Sequence, residues 1–311
     1  MTARVAAVLP VDGTATGDGA AAVAVGPSGR RVLALHHREE VMGTVVTLDV
    51  YVDADGRTPV DRLPAFLGRA RSALHRADAV FSTWTPDSPM SRLRRGEATL
   101  DQVPPEVAEV LDACRLARDL TDGWFDPWAL PGGVDPTGYV KGWAAERALD
   151  ALRLPGVAAA VVNAAGDIAS FGGPAPSTPF RFAVVDPADR TRPACVVEHT
   201  GAVATSGTYE RGPHLFDPRT RRATTAAASA TVTGPELGLA DALATALAVG
   251  GDPVLDRISA LAGFEALLIG HDGTHWSTPG FPLVRATVGA ASTRGPVRAP
   301  GLRPAVRVPG P

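Results

Sequence analysis

A carboxylate and a hydroxyl stand four residues apart in GLADALATALAV, residues 238–249, as Asp241 and Thr245. On a helix that spacing puts both on one face. Paired hard oxygens suit magnesium, which takes few protein ligands and shares its shell with substrate phosphates. Upstream, TSGTYERGPHLFDP, residues 205–218, packs turn formers, a Glu-Arg pair, His214 and Asp217-Pro218 into a stretch with little apolar content. Thr205, Ser206 and Gly207 can end a strand with exposed backbone N–H groups, which suits an anion. His214, with an ordinary pKa of about 6.5, can accept a proton from a hydroxyl. Each feature alone also has a plain reading: a solvated aspartate, a threonine bonded back to its own helix, a hydrogen-bonded loop histidine. The Ala/Leu-rich helix weighs against the plain reading of Asp241, since a buried unpaired carboxylate is costly.

The elements that must hold these residues follow from periodicity. Val41–Val52 is rich in β-branched residues and reads as one strand. Pro64–Phe81 carries apolar residues at helical spacing. A Ser/Thr/Pro loop follows, ending in a short helix capped at Ser88 or Ser91. Pro105–Thr121 reads as a second helix, with Val107, Val110, Leu111, Cys114, Leu116 and Ala117 inward, stopped by Asp122-Gly123. Residues 125–139 form a Gly/Pro-rich loop in which Asp126 and Asp135 each precede a proline, as turn residues do. A helix resumes over 141–152, which makes Lys141 a first-turn residue. Ala158–Val162 is a short buried strand running into a tight turn at 163–167. Further strands are expected at 180–185, 195–198, 201–204, 224–232 and 265–269, with helices at 238–249 and 254–261.

Composition narrows the function classes. The 311 residues are 45% hydrophobic and 20% charged, with a net charge of −3. This is an ordinary globular composition, without the basic footprint of a nucleic-acid binder. Cys114 and Cys195 are too far apart in sequence to suggest a metal or redox motif. The N-terminal apolar run is broken at Pro10, too short for a secretory leader, and no run is long enough to span a membrane. A cytoplasmic location is the expectation. Residues 1–31 are expected to be a flexible arm, 32–284 the functional domain and 285–311 a flexible Pro/Gly/Arg-rich tail.

Read together, the loops resemble the FAD:protein FMN transferase (ApbE) family over roughly residues 41–270. The matching pieces, in order, are MGT (42–44), FSTWTPDSPMSRL (81–93), TDGWFDP (121–127), GYVKGWAAERAL (138–149), VVNAAGDIASFG (161–172), TSGTYER (205–211), HLFDPRT (214–220) and ADALATAL (240–247). Any one is weak, and eight in order are specific.

The resemblance implies an α+β fold, with mixed β-sheets packed against helices. It implies an enzyme that binds FAD as substrate with Mg2+ and moves the FMN half onto a Thr or Ser hydroxyl of an acceptor protein, releasing AMP. It implies Asp241, Thr245 and the backbone carbonyl of Val140 as metal ligands, and His214 and Asp241 as catalytic residues. Cofactor contacts carried over are Met42, Trp84, Asp126, Lys141, Gly142, Asn163, Gly166, Asp167, Thr205, Ser206, Gly207 and His214. The same site could serve FAD hydrolysis to FMN and AMP, or flavin binding without turnover. This chain departs from the family pattern at several positions. Ala165 stands for the first glycine of Gly-Gly-Asp, Arg221 for a glycine and Glu146 for an aspartate. Arg94 stands for an asparagine, and Trp84 for the more usual tyrosine. If position 165 needs a positive φ, alanine there adds strain.

Overall fold

The computed structural model describes residues 21–25, 31–53, 63–173, 178–207, 215–224, 226–284 and 306–307. Strands β1 (Ala21–Val25), β2 (Arg31–Val41) and β3 (Thr44–Asp53) lead into helices α1 (Leu63–Phe81), α2 (Pro89–Arg94), α3 (Pro105–Leu120) and α4 (Thr137–Asp150). Then come β4 (Val157–Ala164), β5 (Asp167–Phe171), β6 (Phe180–Val185), β7 (Pro193–His199), β8 (Ala202–Gly207), β9 (Phe216–Asp217), β10 (Arg222–Ala223) and β11 (Ser229–Gly234). Helices α5 (Leu237–Gly250) and α6 (Asp252–Ser259) and strands β12 (Glu265–Ile269), β13 (His275–Ser277) and β14 (Val306–Arg307) complete the order. The class is α+β, as expected.

One ten-stranded sheet runs β1-β2-β3-β4-β5-β8-β11-β12-β13-β14, and β6–β7 and β9–β10 form separate hairpins. Period-2 alternation gives the large sheet two apolar faces. Val46, Leu48 and Val50 of β3 and Ala160 and Val162 of β4 pack with α1, α3, α4 and α5. Tyr51, Ala159, Val161 and Ile168 point the other way, onto Phe180, Phe182, Val184 and Val197 of β6–β7. The sheet is thus the middle of three layers. Helix α5 is buried along nearly its whole length, as a helix that is apolar all round must be.

Several sequence expectations need correction. Val41–Val52 is not one strand but the end of β2, a two-residue turn at Met42-Gly43 and β3, paired Val41↔Thr44. Met42 and Gly43 both take positive φ, 54° and 66°, as a tight hairpin demands. Helix α4 starts at Thr137, so Lys141 lies in its second turn and part of the expected loop is helix. Thr205, Ser206 and Gly207 belong to β8, paired with β11, rather than to a loop after it. Strand β11 starts at Ser229 rather than Thr224, and β5 and β13 fall where no strand was expected. Leu116 is 55% exposed, not inward. Within the expected arm, Ala21–Val25 forms β1 and pairs with β2. Within the expected tail, Val306–Arg307 pairs with β13.

Candidate functional site

At one end of the sheet the Met42-Gly43 and Ala165-Gly166 turns, the end of β8 and the start of α4 gather. The strand pairing accounts for this: Val46↔Ala164 aligns the two turns, and Ala164↔Asp167 closes the second. Asn163 Oδ1 accepts the Gly166 N–H at 2.8 Å and so ties the turn that presents Asp167. Asp167 is completely buried. Its Oδ2 is paired with Lys141 Nζ, and its Oδ1 accepts the Thr205 N–H at 3.0 Å. Strands β5 and β8 pair through Ile168↔Val203 and Ala169↔Ala202. Beyond that point the carboxylate of Asp167, not a backbone carbonyl, receives the β8 donor.

On β8, Ala204 faces the helices, and Ser206, two residues on, shares that face. Its hydroxyl lies 3.2 Å from Thr245 Oγ1 of α5. Thr205 points to the other face and meets Thr231 Oγ1 at 3.0 Å. One turn before Thr245, Asp241 is 3% exposed and its Oδ2 has no hydrogen-bond partner among the described residues. Burial pushes its carboxyl above the usual range, against the pull of the Lys141 ammonium and the Gly142 N–H. The site therefore places a cation, Lys141, between two buried acids from different elements.

Gly142 owes its place to packing. A Cβ there would lie 2.5 Å from the Leu237 carbonyl oxygen, and one at Gly238 would lie 2.7 Å from the Tyr139 ring. These two glycines let α4 and α5 approach closely, which sets Lys141 and the Gly142 N–H beside Asp241. Asp126 Oδ1 accepts the Trp128 N–H at 2.9 Å, a turn role. Its neighbour Phe125 reaches the site, because a side chain at Gly138 would meet the Phe125 ring at 3.2 Å and Thr245 Oγ1 at 3.8 Å. Trp84 is 93% exposed, in the turn that leads to the Ser88 cap of α2. His214 lies outside the described residues.

The donor set passes a simple test for a hard cation. Asp241 offers an orphaned carboxylate oxygen, and Thr245 a hydroxyl on the same helical face. Val140 offers a helical carbonyl with a second lone pair. Among the described residues no group of three or more His, Cys, Asp or Glu forms a metal cage. A cation here would have one carboxylate, Asp241, and would complete its shell from hydroxyl, carbonyl, water and ligand oxygens. Magnesium is usually bound through one or two carboxylates plus substrate phosphates and water.

Two residues near this site escaped the sequence reading. Thr231 was hidden in a β-branched strand, although SATVTG, residues 229–234, carries hydroxyls at every second position. Glu236 accepts the Tyr139 hydroxyl at 2.6 Å, a contact between residues far apart in the chain that no local pattern announces. No helix among the described residues is long and apolar enough to cross a membrane.

Comparison with known proteins bears on the family and the fold. The curated FAD:protein FMN transferase of Rhodobacter capsulatus is 36% identical over 156 residues, which is 47% of this chain and 30% of that relative's length. The flavin transferase ApbE of Vibrio cholerae superposes with a TM-score of 0.69 at 22% identity, over 80% of this chain and 98% of that one. An ApbE protein from Thermotoga maritima gives 0.69 at 21% identity, over 79% and 97% of the two chains. At those identities the structural likeness speaks for the fold. The ApbE family profile matches residues 42–132 and 130–268, well over half of the chain, and on that match the chain belongs to the ApbE family.

Proposed function

We propose that this protein is a magnesium-dependent FAD:protein FMN transferase, which moves the FMN half of FAD onto a Thr or Ser hydroxyl of an acceptor protein and releases AMP. The observation that carries this reading is the unpartnered, buried Oδ2 of Asp241, one helical turn from Thr245 and beside Lys141. Asp241, Thr245 and the Val140 carbonyl would hold the ion. Bound there, magnesium would act as a Lewis acid that offsets charge on the diphosphate.

The chain's own residues do the rest. Such a transfer demands charge neutralisation and in-line placement more than covalent help. Lys141, oriented by Asp167, offers an ammonium toward a diphosphate. Ser206 supplies a hydroxyl donor on the same face as Thr245. Met42, at the tip of the β2–β3 hairpin, and Trp84 are the proposed flavin contacts. The new bond joins the acceptor oxygen to the FMN phosphorus, and the bond that breaks joins that phosphorus to the bridging oxygen, which departs with AMP. His214 is the proposed acceptor of the hydroxyl proton.

The test is AMP release from FAD with magnesium, for wild type and Asp241→Ala, with and without a Thr-containing acceptor peptide. The expected result is AMP only with acceptor and peptide labelling by FMN, both lost at least a hundredfold in Asp241→Ala (about 3 kcal/mol at 1.4 per decade). AMP at the same rate without acceptor would make the protein a pyrophosphatase instead. Undiminished labelling by Asp241→Ala would sink the metal assignment.

A further inference from the structure

Helix α5 carries the proposed metal ligands. Its buried surface alternates the leucines Leu237, Leu239, Leu243 and Leu247 with small residues, Ala240, Ala242, Ala244, Ala246 and Ala248. Its N-cap residue Glu236 makes no capping hydrogen bond from its side chain. The first N–H groups of a helix need acceptors, and here they come from another helix. Glu146 of α4 accepts the Leu237 N–H at 2.5 Å and faces the Gly238 N–H at 3.4 Å. Tyr139, Gly142 and Glu146 lie on one stripe of α4, and all three meet residues 236–238. Tyr139 donates its hydroxyl to Glu236, Gly142 lies against Leu237, and Glu146 supplies the cap.

We infer that Glu146 is a positioning residue: by capping α5 across the helix interface it fixes the axial register that sets Asp241 and Thr245 opposite Lys141 and Ser206. The inference rests on the metal-binding reading of Asp241 given above. Asp241 is three residues past Gly238, about 4.5 Å along the axis at 1.5 Å per residue. A shift at the cap therefore passes to the ligands almost undiminished. Apolar contacts are non-directional, whereas a carboxyl group with directional bonds specifies one register. Polar groups at apolar helix interfaces serve this purpose in coiled coils. Burial pushes the Glu146 carboxyl up to about 7, with Glu236 and Asp150 adding to the rise and the two N–H groups opposing it. Such a group is held at some cost, which argues that its placement matters.

The test measures Mn2+ affinity by calorimetry alongside thermal midpoints, for native protein, Glu146→Gln, Glu146→Asp, Asp241→Asn and Leu255→Ala. Leu255 is a buried residue of α6 that serves as a stability control. Glu146→Gln is expected to bind Mn2+ about tenfold more weakly, the usual scale for residues that orient metal ligands. Glu146→Asp, which keeps the carboxyl acceptor, should recover most of that loss. Leu255→Ala should lower the midpoint more than Glu146→Gln yet leave the affinity unchanged. Native affinity in Glu146→Gln, with affinity lost in Asp241→Asn, overturns the inference and leaves the metal site standing. So does an affinity loss in Leu255→Ala as large as that in Glu146→Gln, since it would reduce the effect to general destabilisation. If Asp241→Asn binds as tightly as native protein, the metal reading fails and the inference falls with it.

Discussion

Met42, Ala165 and Arg221 hold φ angles of 54°, 55° and 58°, a region that costs a residue with a Cβ about 1–2 kcal/mol. Two of the three are the positions where this chain departs from a family glycine. The resemblance singled them out, but only the backbone shows that the glycines were there for φ. Replacing Ala165 or Arg221 by glycine removes the strain and costs some unfolded-chain entropy, for a net gain of about 0.5–1 kcal/mol each. Urea unfolding of Ala165→Gly and Arg221→Gly should show higher midpoints with unchanged slopes, and lower midpoints in both would show that the strain has been absorbed elsewhere. Met42 differs, because its side chain sits at the tip where the flavin is proposed to lie. Strain that persists at such a place fits a functional hold on the side chain. Met42→Gly should therefore gain stability and lose FAD affinity, and unchanged FAD affinity by fluorescence titration would remove Met42 from the site.

Among elements, the β2–β3 hairpin that ends in Met42 is braced against α1 by Glu39. This residue is 8% exposed and accepts from Arg71 Nε at 2.5 Å, His75 Nε2 at 2.7 Å and His37 Nε2 at 2.9 Å. The Arg71 hydrogen bond, joined by those of the two histidines, holds its carboxyl down from 4.5 to about 2, despite opposing desolvation. A group with a depressed folded pKa stabilises fully above its unfolded value, and that stability is lost as pH falls through the folded value. The window is thus pH 4.5 down to about 2. Glu39→Gln should cost about 1–3 kcal/mol at neutral pH and flatten the stability profile across that window. A variant with the native acid slope would show that Glu39 does not set it.

Elements also show what the sequence could disclose. Helices α1, α2, α3 and α5 were legible because their apolar periods, the Ser88 cap and the Asp122-Gly123 stop are local signals. The Met42-Gly43 turn was not, because methionine carries no turn signature and the flanking residues favour strand. Thr205–Gly207 read as loop by composition, yet six paired positions with β11, Gly207↔Ser229 through Ala202↔Gly234, draw them into the sheet. That Asp241 and Thr245 share one face of a helix was legible from spacing alone. The partners of Lys141 and Glu146 were not, since each bond spans tens of residues.

For the whole molecule, the central sheet feeds both apolar clusters. Alternate residues of β3, β4, β5 and β8 belong to the helix side and to the β6–β7 side. Neither layer can leave without exposing the other face of the same strands, so the layers should unfold together. Trp124, Trp128, Trp143 and Trp276 pack on the helix side and report it by fluorescence, while far-UV circular dichroism reports all layers. The two denaturation curves are expected to coincide, and midpoints that separate would show that the layers come apart independently.

Strand β8 lies between β5 and β11, although two other strands part it from β5 in the chain. Its two ends of contact, Asp167 with Thr205 and Ser206 with Thr245, each close a gap of nearly forty residues. During synthesis, then, the cluster has no partial form: a nascent chain that has released Lys141 and Asp167 still lacks the hydroxyls and the buried acid. The site is completed only after α5, Leu237–Gly250, has emerged, so affinity for its ligands waits on that helix.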